Sequence, residues 1–188
     1  MNRIHRWLCS SALWRRSLEQ KLLPWVLDGA EFGDHLLEVG AGPGLTTDWL
    51  RRRVPSLTAL EIDPRVAGSL AARLANSNVR VIEGDATDMV FEDGSFSSVV
   101  ALTMLHHVPS PELQDKLLAE VFRVLRPGGV FLGTDSRWSW LFRLIHLGDT
   151  MVIVDPSTFQ PRLEAVGFTE VTVESVVRAF RFRARKGL

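Results

Sequence analysis

The stretch that most restricts how this chain can fold runs from Leu36 to Arg53. Leu36, Leu37 and Val39 form a short apolar run broken only by Glu38, and three glycines then fall at alternate positions, Gly40, Gly42 and Gly44. Such a run reads as a buried strand leading into a tight turn that carries little side chain. Leu45, Trp49 and Leu50 follow at helical spacing, with Thr46 and Thr47 placed to bond free amides at the helix start. Strand, glycine turn and helix in that order bring backbone N–H groups and a helix N-terminus up to a ligand.

The same alternation then repeats. Leu57 to Ile62 reads as a strand, and Pro64 starts a helix carrying Val66, Leu70 and Leu74. Val79 to Ile82 is a third strand, and Phe96 to Leu102 a fourth after a turn at Glu92, Asp93 and Gly94. Leu113 to Leu125 is a periodic helix halted by Pro127 and Gly128, and Val130 to Gly133 is a fifth strand. Alternation of this kind implies a parallel sheet with helices on both faces, because parallel strands need long crossovers. Ligands of such sheets lie beyond the carboxyl ends of the strands, so the residues just after each strand are the ones that matter.

Those residues are polar in an ordered way. The dinucleotide-binding fingerprint places its glycines at G-x-G-x-x-G, whereas here position 45 is Leu and the third glycine comes one residue early. Glu38 would repel a pyrophosphate and suits a ligand with positive charge, such as S-adenosylmethionine with its ammonium and sulfonium. Glu61 follows the second strand about twenty residues beyond the loop, where a carboxylate can accept both hydroxyls of a ribose. Its neighbour Asp63 precedes Pro64 and is placed either for the same ligand or to cap the next helix. After the third strand, Asp85 can accept from the exocyclic amine of a base, and small Ala86 leaves room for its ring. A plain tight turn and solvated loop carboxylates remain the alternative for each feature taken singly.

A chain of 188 residues fits one domain with a sizeable core, and its formal net charge of zero gives no general attraction for nucleic acid. The charge is uneven: Arg3, Arg6, Arg15 and Arg16 near the start and Arg178, Arg181, Arg183, Arg185 and Lys186 near the end are unaccompanied by acids. One cysteine, Cys9, forms no internal disulfide and no metal cluster, which fits a reducing compartment. With no signal-peptide pattern and no run long enough to span a bilayer, the expectation is a cytoplasmic protein without bound metal. From about Ser10 to Leu27 the apolar spacing predicts an amphipathic helix or helix pair, packed over the core or, given Trp7, Trp14 and their arginines, resting weakly on a membrane surface. The domain reading is an N-terminal helical segment over residues 1–30 and one α/β domain over 31–188, which holds the segments compared next.

The segments LLEVGAGPGLTTDWL, ALEIDP, VIEGDATDMVFEDGSFSSVVA, LTMLHHV and LAEVFRVLRPGGVFLGTDS together resemble, in order and spacing, the class I S-adenosylmethionine-dependent methyltransferases. The likeness is to the small-molecule branch that includes ubiquinone and menaquinone methyltransferases, and it is strong over residues 34–136. It implies an α/β fold, a Rossmann-like three-layer sandwich around a seven-stranded, mostly parallel sheet in the order 3-2-1-4-5-7-6, with the seventh strand antiparallel. Gly167 to Val173 and Val176 to Phe182 would be strands six and seven. It implies S-adenosylmethionine as cofactor and S-adenosylhomocysteine as product. Gly40, Ala41, Gly42 and Gly44 would lie along the methionine part, with Glu38 orienting its ammonium side. Glu61 would hold the ribose, Ile62, Asp85 and Ala86 would frame the adenine, and Leu102 with Thr103 would pass near the sulfonium.

The acceptor is less defined. Methyl transfer from a sulfonium is an in-line displacement that positioning accelerates, and a base is needed only where the acceptor must lose a proton. His106, His107 and His146 with Asp149 are the candidates, each equally suited to shaping the pocket. Residues 137–156, rich in Trp138, Trp140, Leu141, Phe142 and Ile145, stand between the fifth strand and the last helix, as a lid over an apolar or aromatic acceptor or as an extra packed helix. RNA methylation, with the basic ends on phosphates, and a non-catalytic cofactor-binding role are the alternatives. The amino-directed Asn-Pro-Pro-aromatic run of base methyltransferases is replaced here by Leu102 to Val108, LTMLHHV, so no stable nucleic-acid partner is expected.

Overall fold

The computed structural model describes residues 12–145 and 148–188. The expectations placed on Trp7, Cys9 and His146 fall outside those residues. Seven strands form one sheet in the order β3-β2-β1-β4-β5-β7-β6, with β1 His35–Val39, β2 Ser56–Glu61, β3 Val79–Glu83, β4 Phe96–Leu102, β5 Leu125–Ser136, β6 Phe168–Ser175 and β7 Ala179–Lys186. β1 to β5 pair in parallel, while β7 runs antiparallel between β5 and β6. This is the strand order and direction that the resemblance implied.

The helices are α1 Ala12–Ser17 and α2 Leu23–Val26, joined by a wider turn over Leu18–Leu22, then α3 Leu45–Leu50, α4 Pro64–Leu74, α5 Pro111–Val124, α6 Trp140–Ile145 and α7 Pro156–Val166. The longer ones begin where chemistry favours a start. Asp63, Ser110 and Asp155 each accept an amide from the first turn, and proline occupies that turn in α4, α5 and α7. Asp63 is therefore a helix cap.

The central strands are buried on both faces, and their side chains divide by the period of two. Leu37, Val39, Val99, Ala101 and Phe131 join the core made with α5 and α7. Leu36, Val100, Leu102, Val130 and Leu132 face the other way and pack with Leu18, Leu23, Val26 and Leu27 of the N-terminal segment.

Two strands differ from expectation. β5 begins at Leu125 and passes through Pro127 and Gly128, because its pairing with β4 shifts between Phe96 and Ser98 and the proline sits in that irregular step. β7 starts at Ala179 and continues to Lys186, since Phe180, Phe182 and Ala184 alternate into the core while the intervening arginines face outward.

Those arginines are engaged within the fold. Arg181 donates to the Trp25 carbonyl and to Glu174, Arg183 to the Gly29 carbonyl, and Arg185 to Glu170 and the Gly128 carbonyl. Lys186 donates to the carbonyls of Phe122 and Leu125, 2.8 Å each. Much of the basic C-terminal end thus fastens the N-terminal segment and β5 to β7.

Candidate functional site

Register places the predicted residues at one rim. Val39 lies opposite Leu60 of β2 and Ala101 of β4, and Glu61 lies opposite Glu83 of β3. The next residues are joined across the rim: the amides of Gly40 and Ala41 donate to the Leu60 carbonyl at 2.9 and 3.2 Å, and the Gly84 amide to the Glu61 carbonyl at 3.0 Å. Gly40, Glu61, Gly84 and Leu102 therefore stand side by side at the carboxyl ends of four neighbouring strands. Asp85 and Ala86 follow directly.

The three loop glycines all have positive φ, but for different reasons of space. A Cβ at Gly40 would press on Met104, and one at Gly44 would collide with Leu70 and with the Arg73 guanidinium. At Gly42, φ +53°, a Cβ would meet nothing within 4 Å. The turn is closely backed at both ends and open in the middle, the form a loop needs if a ligand is to lie against its backbone. Arg73 of α4 fixes its outer side, donating to Asp48 at 2.7 Å and to the Pro43 carbonyl at 3.1 Å.

Glu38 is 1% exposed and accepts from the hydroxyls of Thr46 and, at 2.6 Å, Thr47. The threonines expected to bond free amides instead tie α3 to β1 through this carboxylate, and Gly44 takes the helix-cap position with no side-chain bond. Burial pushes the Glu38 carboxyl up to about 7 against the pull of the two hydroxyls, with Asp48 and Glu61 adding to the rise. Glu61 accepts from the Gly42 amide at 2.8 Å and from the Asp63 amide at 2.9 Å, so one carboxylate joins the open turn to the end of β2. Beside it Ile62 projects an exposed apolar side chain. Asp85 is exposed and accepts from the Thr87 amide at 2.8 Å, and Ala86 is half-buried.

Beyond β4, Leu102 is buried and Thr103 adopts φ +55°. That conformation is strained for a β-branched residue and marks the spot where the chain turns away from the rim after β4. His106 is buried, its Nδ1 2.5 Å from Asp135 Oδ1, while its amide donates to Asp135 Oδ2 at 2.9 Å. The fully buried Asp135 ends the apolar part of β5 and also accepts from the Ser136 amide. The His107 ring lies tilted against that of His106, 4.1 Å between ring centres, and its Nδ1 is 3.3 Å from the Thr150 carbonyl. The Val152 amide donates to the His106 carbonyl, and Gln114 donates to the Val152 carbonyl, so residues 150–152 are laced to the turn after β4. Asp149 is half-buried in the same segment. Trp138 and Trp140 are exposed, which removes core packing as an account of their side chains.

Three contributors escape a reading by residue pattern. Asp135 lies 29 residues from the histidine it holds, Arg73 reaches the loop from the far end of a helix, and the strain at Thr103 is a backbone property. For Asp135 the only sequence signal is a carboxylate directly after an apolar strand run. A groove of about 760 Å³ between Gly33, Ser97, Gly128 and Arg183 opens at the amino-terminal ends of β4 and β5, the wrong end for a ligand of a parallel sheet.

Comparison with known proteins gives the same picture. The family model described as a methyltransferase domain matches residues 37–133, half of the chain. A fatty-acid O-methyltransferase of Mycolicibacterium smegmatis is 36% identical over 107 residues, 56% of this chain and 38% of that protein. A demethylmenaquinone methyltransferase of Tropheryma whipplei is 31% identical over 121 residues, 63% of this chain and 46% of that protein. The chain therefore spans less than half the length of these curated relatives. Among solved structures, Haemonchus contortus phosphoethanolamine N-methyltransferase 2, in complex with S-adenosyl-L-methionine, superposes with a TM-score of 0.73 at 16% identity over 84% of this chain and 50% of that one. That likeness concerns the fold.

Proposed function

The chain belongs to the methyltransferase-domain family, and from that premise we propose that it moves a methyl group from S-adenosylmethionine to a small apolar or aromatic acceptor, releasing S-adenosylhomocysteine. The observation that carries this reading is the meeting of four strand ends at one rim, with the glycine turn open at Gly42 and carboxylates at the two next strand ends. The cofactor supplies a methyl group on a positively charged sulfur. In this reading Gly40, Ala41, Gly42 and Gly44 lie along its amino-acid part, with Glu38 as a buried brace beneath them. Glu61 accepts from the ribose hydroxyls, Ile62 and Ala86 flank the base, and Asp85 takes its exocyclic amine. Leu102 borders the reacting end.

What the protein adds to the reaction is alignment, worth several orders of magnitude when two reactants are held in line. His106, committed to Asp135, positions the floor of the acceptor side, and no side chain is assigned as base. Residues 137–145 and 148–150 cover the acceptor space. The apolar acceptor class draws support from the relatives, named for a fatty acid and a menaquinone precursor.

The test is transfer of a labelled methyl group to an organic-soluble product, using long-chain fatty acids and prenylated quinols as acceptors and total RNA as a control. Replacing Trp138 and Trp140 by alanine should raise the acceptor KM about tenfold and leave cofactor affinity unchanged. Label recovered in RNA, with its salt-steep binding, would overturn the acceptor class, and a loss confined to cofactor affinity would overturn the cover.

A further inference from the structure

The carboxyl-end rim continues from residues 137–144 onto the turn between β6 and β7, which the methyl-transfer reading does not use. Where β5 ends, Arg137 donates its amide to the Arg178 carbonyl and its guanidinium to the Val176 carbonyl, 2.9 Å each. This joins the start of the 137–145 segment to the turn between β6 and β7. Among the described residues the two pieces carry five of the eight large apolar side chains left exposed: Trp138 is 64% exposed, Trp140 70%, Leu144 54%, Val176 47% and Val177 88%. A cluster of that size on one edge marks a surface that meets something.

The charges around it select the partner. Arg137, Arg143 and Arg178 are exposed in the same two pieces, and neither residues 137–148 nor residues 175–188 contain an acid. Of the acids flanking these pieces in the chain, Glu174 pairs with Arg181 and Asp155 caps the first turn of α7. Asp149 is half-buried at the end of the segment. Tryptophan and arginine edging aliphatic side chains suit a membrane–water interface, where the ring sits at headgroup depth and the guanidinium meets lipid phosphate. A second copy of the chain suits it poorly, because a two-fold contact would bring two basic patches without acids together.

We propose that the edge formed by residues 137–144 and the β6–β7 turn docks this protein on an anionic lipid bilayer. The inference goes beyond the methyl-transfer reading and stands without it. Since the edge borders the same rim as the glycine turn, a docked molecule would present its acceptor side to the lipid.

The test is co-sedimentation of the full chain with vesicles of phosphatidylcholine containing phosphatidylglycerol, and with phosphatidylcholine alone. Binding to the anionic vesicles, weakened by salt and accompanied by a blue shift of tryptophan emission, is expected. Val177→Asp with Arg178→Glu, at a turn outside the candidate site, should weaken it about tenfold or more. S-adenosylhomocysteine affinity, measured by calorimetry on the same samples, reports the fold and the cofactor reading separately. The proposal is overturned if the wild-type chain ignores anionic vesicles, or if the turn variant binds them equally well. Loss of binding only on deletion of residues 1–11, or a concentration-dependent dimer abolished by the turn variant, would overturn it too.

Discussion

At the scale of single residues, Glu38 shows how this site is held and how that can be measured. Its carboxyl is buried and raised from 4.5 to about 7, so the folded chain holds this proton more tightly than the unfolded chain does. The stabilisation is complete below pH 4.5 and is lost as pH climbs through about 7, a change on the order of 3 kcal/mol. Urea unfolding of the wild type and of Glu38→Gln at pH 5 and pH 8 should therefore show a fall in the wild type that the variant lacks. Equal falls in both would place the titration elsewhere. A charged residue in an apolar run was visible in the sequence, as were Glu61 and Asp85. What could not be read was the use of Thr46 and Thr47: eight and nine residues downstream, they meet Glu38 only because the glycine turn folds α3 back onto β1.

The elements were the most legible part of the chain. Double-faced apolar strands, helix caps such as Asp63, and Pro-Gly stops gave the order of β1 to β4 and α4 directly. The irregular start of β5 was hidden because its proline reads as a helix stop, and the true bounds of β7, expected at Val176 to Phe182, because its arginines mask the inward Phe180, Phe182 and Ala184. Contacts between elements carry the prediction that belongs here. Arg73 of α4 holds the outer side of the glycine turn through Asp48 and the Pro43 carbonyl, and its guanidinium is partly exposed. Such a pair contributes no more than about 1 kcal/mol to stability. Arg73→Ala should thus leave thermal unfolding nearly unchanged while lowering S-adenosylhomocysteine affinity several-fold in a calorimetric titration. A large drop in melting temperature with unaltered affinity would show that the contact serves the core and not the turn.

For the molecule as a whole, residues 18–29 and β7 close one side of the sheet together. Leu18, Leu23, Val26 and Leu27 pack on β1, β4 and β5, and Arg181 and Arg183 of β7 bond the carbonyls of Trp25 and Gly29. Much of the basic C-terminal end is spent on that closure, which weakens a phosphate-binding role for it. Among the described residues no helix is long and apolar enough to cross a membrane. The rim at the carboxyl ends of β1 to β4 is what the whole arrangement leaves available for chemistry. The most direct test of its assignment is calorimetric titration of the full chain with S-adenosylhomocysteine, beside Gly42→Val. A saturable 1:1 heat in the wild type, lost in a variant that still unfolds cooperatively, is the expected result. No heat from the wild type, or a variant that binds as well as the wild type, would contradict it.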